Sequence, residues 1–122
     1  MDRCITSKGF TIIEVLISIV ILSISLLALA GLMVTTTRNT SFGGHLTEAA
    51  TFAQDRLEQF RAMRWQDIPL VAGSDLRTGS TGINYTRNWN VNLSGSLRTI
   101  TVTINWTDQT NHVLTMLSVI SE

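Results

Sequence analysis

The stretch KGFTIIEVLISIVILSISLLALAGLMV, residues 8–34, decides the architecture. From Val15 to Val34 it carries 20 residues without a charge. Wound as an α-helix at about 1.5 Å per residue, they reach ~30 Å, the thickness of a bilayer's hydrocarbon core. The run is apolar on every side rather than along one stripe, as suits lipid or other helices. Before it stands the short polar leader MDRCITSKG, with Arg3 and Lys8 as its cations. Basic residues ahead of a span favour a cytoplasmic N-terminus, which places the rest of the chain outside the cytoplasm.

Glu14 alone interrupts the apolar pattern. A carboxylate near the bilayer centre costs on the order of 3 kcal/mol, less at the helix end where Glu14 sits. It suits the positive end of the helix dipole, and it also suits a partner cation. A cut just before Phe10 would create such a cation, a new α-amine. Pairing that amine with the Glu14 of a neighbouring subunit would penalise every register that left the charge alone. A rival signal lies further on. Ala28-Leu29-Ala30 before Gly31 fits a conventional signal-peptidase site. The apolar run, however, is longer than a usual signal core, continues past that site and contains Glu14.

Lys8-Gly9-Phe10-Thr11-Ile12-Ile13-Glu14-Val15-Leu16 resembles the class III signal of type IV pilins and type II secretion pseudopilins. The resemblance implies cleavage between Gly9 and Phe10 by a membrane aspartic protease, prepilin peptidase. It also implies N-methylation of Phe10, and it gives Glu14 the family's role in methylation and subunit assembly. The partners it implies are the peptidase, other pilin subunits through the N-terminal helix, and an inner-membrane assembly platform. The expected location is the bacterial inner membrane, single-pass with the head outside the cytoplasm, then a pilus or pseudopilus.

Past the span, Thr35-Thr36-Thr37-Arg38 and Ser41-Phe42-Gly43-Gly44 weaken the helical signal. Two glycines inside a helix cost roughly 1 kcal/mol each relative to alanine, so a bend or melted zone is expected there. Helical spacing resumes with Leu46, Ala49, Ala50, Ala53, Leu57 and Phe60, while Glu48, Asp55, Glu58 and Arg61 lie largely off that stripe. Ile68-Pro69 stops it. The organisation read from the sequence is a leader at 1–9, a transmembrane and assembly helix at 10–37, an amphipathic helix at 38–66, and a head at 67–122.

Residues 72–82, rich in Gly, Ser, Thr and Asp, read as a loop. Ile83, Tyr85, Arg87, Trp89, Val91 and Leu93 then alternate with polar residues, and so do Ile100, Val102, Ile104 and Trp106. A third strand is expected at about 113–120. Short polar connections at 93–96 and 108–111 favour an antiparallel meander. The expected fold is α+β: a long N-terminal helix, half transmembrane and half amphipathic, packed on a small three-stranded antiparallel sheet. Tyr85-Thr86-Arg87-Asn88-Trp89 with Leu97–Val102 and Trp106 looks like the minor pilins of the PilV, or pilus modification, type. Cys4 is the one cysteine, so the C-terminal disulfide loop of many major pilins cannot form.

The formal net charge is zero and only 15% of residues are charged, so the chain lacks an electrostatic footprint for nucleic acid. The arginines at 56, 61, 64, 77, 87 and 98 are balanced by acidic residues. His45 and His112 have no metal-ligand spacing, and both read as structural or surface residues. Asp108 in a polar turn is a weak calcium candidate, and Trp65, Trp89 and Trp106 suit packing better than a sugar platform. No catalytic motif is present, so neither enzyme activity nor a cofactor or metal is expected. The function read from the sequence is a minor pilin that takes part in pilus assembly or priming. The alternative is a minor pseudopilin of type II secretion, and behind it stands a ligand-binding module on a permanent anchor.

Overall fold

A computed structural model describes residues 9–122. Of the leader expected at 1–9, residues 1–8, with Arg3, Cys4 and Lys8, lie outside the described residues. Helix α1 runs Ile12–Arg61, and a single 3-10 turn follows at Trp65–Asp67. Four strands complete the chain: β1 Gly73–Thr78, β2 Asn84–Ser94, β3 Leu97–Thr107 and β4 Asn111–Ser121. Contacts divide the chain into two units that meet between Thr40 and Ser41.

The first unit is the apolar part of α1. Its most apolar window is wholly unburied by other described parts of the chain. Seven of its hydroxyls would be costly in lipid, where nothing but the chain can bond them. Each turns back on its own helix. Ser18, Ser23 and Ser25 donate to the carbonyls of Glu14, Ile19 and Ile21 at 2.7–2.8 Å. Thr35, Thr36, Thr37 and Thr40 do the same to Gly31, Leu32, Met33 and Thr36. These i−4 bonds let polar residues ride in an apolar helix without an orphan donor.

The second unit begins inside α1. Residues 41–44 are helical, so the melted zone expected at Gly43-Gly44 is absent. The glycine cost is a propensity, and such a weak term yields to the continuous ladder on either side. The buried stripe of this half is His45, Ala49, Ala53, Leu57 and Phe60. It differs from the expected one at its start: His45 is 8% exposed, whereas Leu46 is 37% exposed. Tyr85 decides the exchange, because its hydroxyl bonds the His45 Nδ1 at 3.1 Å within the core.

The sheet is an antiparallel meander in the order β1-β2-β3-β4. Tyr85, Val91, Ile100, Val102, Ile104 and Trp106 are its buried apolar side chains facing the helix stripe. Gly95 turns β2 into β3 with φ +61°, the left-handed first position of a two-residue hairpin. The sheet has four strands rather than three, because residues 73–78, read as loop, form β1. No apolar alternation betrays β1, since its inward positions are Gly73 and Asp75. Gly73 lies under Trp89, where an added Cβ would come within 2.4 Å of the indole.

Asp75 faces Arg87, whose side chain is fully buried. Arg87 Nε and Nη2 donate to the two Asp75 oxygens at 2.8 and 2.5 Å. Its Nη1 reaches the Phe52 carbonyl at 2.9 Å and Asp55 at 3.3 Å. The guanidinium thus ties β1 to β2 and both to the helix, and every nitrogen has a partner. Arg98 closes the other end, donating from Nη1 to the carbonyls of Trp65 and Ile68 past the helix terminus. Trp65 stacks under it, 4.6 Å from the guanidinium carbon.

Two stability predictions follow from these contacts. Asp75→Asn strips a buried cation of its main counter-charge and is expected to cost about 3 kcal/mol in urea unfolding of the detergent-held chain. The Arg87 hydrogen bond holds the Asp75 carboxyl below its usual pKa. That stabilisation is therefore present above the free value of ~3.9 and is lost as pH falls through the lower folded value. The wild-type advantage over Asp75→Asn should shrink in that acid window and stay constant from neutral pH to mildly acid. Gly73→Ala should cost ~1–3 kcal/mol by pushing Trp89 out of place, and Trp fluorescence would report the shift.

Candidate functional site

The segment that the sequence singles out lies at the N-terminal end of α1. Gly9, Phe10 and Thr11 precede the helix, and α1 starts at Ile12. Thr11 is its N-cap. The Thr11 carbonyl accepts from the amides of Glu14 at 3.1 Å and Val15 at 3.2 Å. Its hydroxyl accepts from the Glu14 amide at a long 3.4 Å. Thr11-Ile12-Ile13-Glu14 therefore has the spacing of a capping box, with glutamate at the third helical position. The sequence carries that signal as T-x-x-E, in the same residues that spell the cleavage motif.

The consequence is geometric. The Gly9–Phe10 peptide bond lies outside the helix, in a non-helical stretch that a protease can take into its cleft as an extended strand. Gly9 has nothing within 4 Å of the position a Cβ would occupy, and Phe10 is 82% exposed. Glu14 follows one turn inside the helix, exposed and in the first turn where the helix dipole favours an anion. Phe10 lies two residues ahead of the helix start and Glu14 at its third position, so both belong to the same short segment at the helix N-terminus.

In the head, the remaining candidates are taken up by packing. Trp106 is buried against Tyr85 and His112. Trp89 carries Arg56 over its ring at 3.8 Å, and Trp65 carries Arg98. Each indole thus has its own partner, and the three do not present a common platform. Asp108 accepts from the Gln109 and Thr110 amides of its turn and from His112 Nε2 at 3.0 Å. The Thr110 amide, first among these, holds its carboxyl down to about 2.

The two histidines fall on opposite sides of one aromatic cluster. His45 meets Tyr85, and His112 meets Trp106 and Phe42. The Tyr85 hydroxyl also donates to Glu48 at 2.8 Å, and Glu48 accepts the Ser80 amide at 2.6 Å. Burial raises the tyrosine's pKa, while the bonds to Ser80 lower that of Glu48. This chain of bonds fastens the 79–82 turn to the helix. Glu48 lies off the buried stripe, as its spacing implies; what the spacing does not show is that it receives two donors. The named arginines are likewise occupied: Arg61 with Glu58, Arg64 with Asp67, and Arg77 with Asp55 and Asp75.

Residues 6–30 match the family described as "Prokaryotic N-terminal methylation motif". No curated protein and no solved structure matches the chain. The match supports a type IV pilin-like protein, of a pilus or a pseudopilus. With the long apolar helix, it is consistent with membrane anchoring, with processing by prepilin peptidase and with pilin subunits as assembly partners.

Thr11→Ala tests the cap. Loss of the N-cap oxygen should cost about 1 kcal/mol of local helix stability, so that the Glu14 amide exchanges with solvent deuterium about fivefold faster. An unchanged rate would mean that the long hydroxyl contact contributes nothing and that the carbonyl bonds alone start the helix.

Proposed function

We propose that the chain is a minor pilin, a structural subunit that takes part in assembling or priming a type IV pilus once its leader has been removed. One observation carries the reading. An exposed, non-helical Gly9–Phe10 bond directly precedes an apolar helix that holds a lone carboxylate at Glu14.

In this mechanism the apolar helix keeps the precursor in the inner membrane, and the basic leader holds the head outside the cytoplasm. Cleavage after Gly9 frees the α-amine of Phe10, which is then N-methylated. The amine of one subunit pairs with Glu14 of its neighbour when the helices leave lipid for a bundle. Both charges leave water, so a register that separates them is strongly disfavoured, and the pair selects one offset between subunits. The rest of the helix contributes contact area without direction. The role is packing, and the head supplies the outer surface. The lean towards a minor subunit rests on Cys4 being the single cysteine and on the Tyr85–Trp89 and Leu97–Val102 segments, which supply the two central strands.

The test is the mass of the N-terminal peptide after co-expression with a prepilin peptidase. The expected species begins at N-methylated Phe10. Gly9→Val should leave the leader attached by obstructing the bond's entry into the peptidase, while disturbing nothing in the chain itself, since no atom lies within 4 Å of the added Cβ. A mature start at Gly31 would sink the proposal in favour of a conventional signal peptide. An uncut Met1 in the presence of active peptidase would favour a permanent anchor instead.

A further inference from the structure

The head's sheet is open at both edges, and the two edges are not alike. β4 is 11 residues long, Asn111–Ser121, and contains no Lys, Arg, Asp, Glu or Pro. Those are the residues that normally guard an edge strand from pairing with another chain. Among the described residues nothing pairs with its outer side. β1, the opposite edge, has six residues, and its charged side chains Asp75 and Arg77 are engaged with the helix and with each other.

Hydrogen-bond parity shows which backbone groups are free. The Glu122 amide donates to the Ser96 carbonyl at 3.1 Å, in the same register as the β3–β4 pairing. Even-numbered residues of β4 therefore bond to β3, and the N–H and C=O groups of the odd-numbered ones point to the free edge. The Gly79 amide likewise donates to Ile83 at 2.8 Å, in the β1–β2 register. On β1 it is the even-numbered residues that face outward.

The side chains follow the same division. The odd residues of β4 and the even residues of β1 all lie on the sheet face away from the helix. There Val113, Leu117 and Val119 are exposed, and so is Leu76, at 61% like Leu117. Residues opposite one another in an antiparallel pair share a face. A β1 edge laid on a β4 edge thus matches donors to acceptors and brings Leu76 onto the apolar rim of β4. With Leu76 opposite Leu117, Ser74 meets Val119 and Thr78 meets Thr115.

We propose that the β4 edge of the head is a docking site for the β1 edge of a second copy of this chain, extending the sheet from subunit to subunit. Direction selects this occupant, and here the inference rests on the membrane-anchored reading. In a four-strand meander β1 and β4 run opposite ways, so a translated copy presents β1 antiparallel to β4, with the helices of both copies pointing the same way. Two β4 edges meeting about a two-fold axis would reverse the helix lying on the sheet. The Ser41 ends of the two heads, where each chain leaves for its anchor, would then lie at opposite ends of the pair, which anchoring in one membrane opposes. The contact is heterologous and does not close on itself, which suits a filament subunit.

The test uses the full chain in liposomes, with Cys4→Ser to remove its own thiol. Leu76→Cys and Leu117→Cys are introduced singly and together, then oxidised. Three strand spacings, about 14 Å, separate the two edges within one chain, too far for an internal disulfide. The double variant should give a ladder of dimers and higher oligomers, and each single variant should stay monomeric. Adding Thr115→Pro to the double variant removes an amide that faces the edge and bonds nothing in the fold. The ladder should vanish while the circular dichroism spectrum stays unchanged, and Thr115→Ser should keep the ladder. Dimers from Leu117→Cys alone would overturn the proposal, as would a ladder that survives Thr115→Pro. A double variant that stays monomeric would overturn it too. The N-terminal peptide mass is read on the same samples, so failure of the edge contact is distinguished from failure of the filament reading.

Discussion

An apolar helix surface that no other described part of the chain covers is the constraint to which the rest of the molecule answers. The large apolar residues between Val15 and Val34 are 48–74% exposed, and no other described part of the chain lies over their most apolar window. The hydrophobic effect requires another medium for it, lipid or other helices. Every polar group placed there then needs a local partner, which the seven back-bonded hydroxyls have. Among the described residues the Glu14 carboxylate makes no hydrogen bond or ion pair, and it is the group to which the proposed function gives a partner in another subunit.

The head answers the same constraint by being self-sufficient. Its apolar core is small, and its geometry is set as much by ionic and polar ties as by area. Arg87 lies fully buried with a bidentate carboxylate and a helix carbonyl around it. Tyr85 bridges His45 and Glu48 in the same way. Such ties add little net stability over a well-packed apolar substitute, but they are directional. They fix which face of α1 meets the sheet and where β1 attaches, and a slide of the helix along the sheet would break several at once.

How much of this was legible follows from how each element announces itself. The apolar helix and the alternation in β2 and β3 are long, regular signals, so both were readable. β1 was not, because its inward residues are a glycine chosen for a neighbour's indole and an aspartate chosen for a buried arginine. Hydrophobic patterning cannot register either choice. The one signal available was Arg87 itself: a charged residue in the inward phase of Tyr85, Trp89 and Val91 demands a carboxylate across from it. The roles of His45 and Glu48 were hidden for a related reason, since a polar side chain reveals its partner, here Tyr85, only once the strands are in place. At the N-terminus the cleavage motif was plain, whereas the capping role of Thr11 was hidden behind it.

The two kinds of contact available to the molecule differ in what they can specify. An apolar helix surface attracts any similar surface and tolerates sliding, because area is insensitive to direction. A charge pair at one end of that helix removes the sliding, but it leaves rotation about the pair. A strand edge removes rotation, since backbone donors and acceptors align in only one sense and a slip of one residue turns every side chain to the wrong face. A filament subunit needs all three restrictions. The unguarded, uncharged β4 edge therefore makes physical sense as a retained feature: a guard residue there would protect a solitary head, and it would also abolish the contact that orients the head among its neighbours.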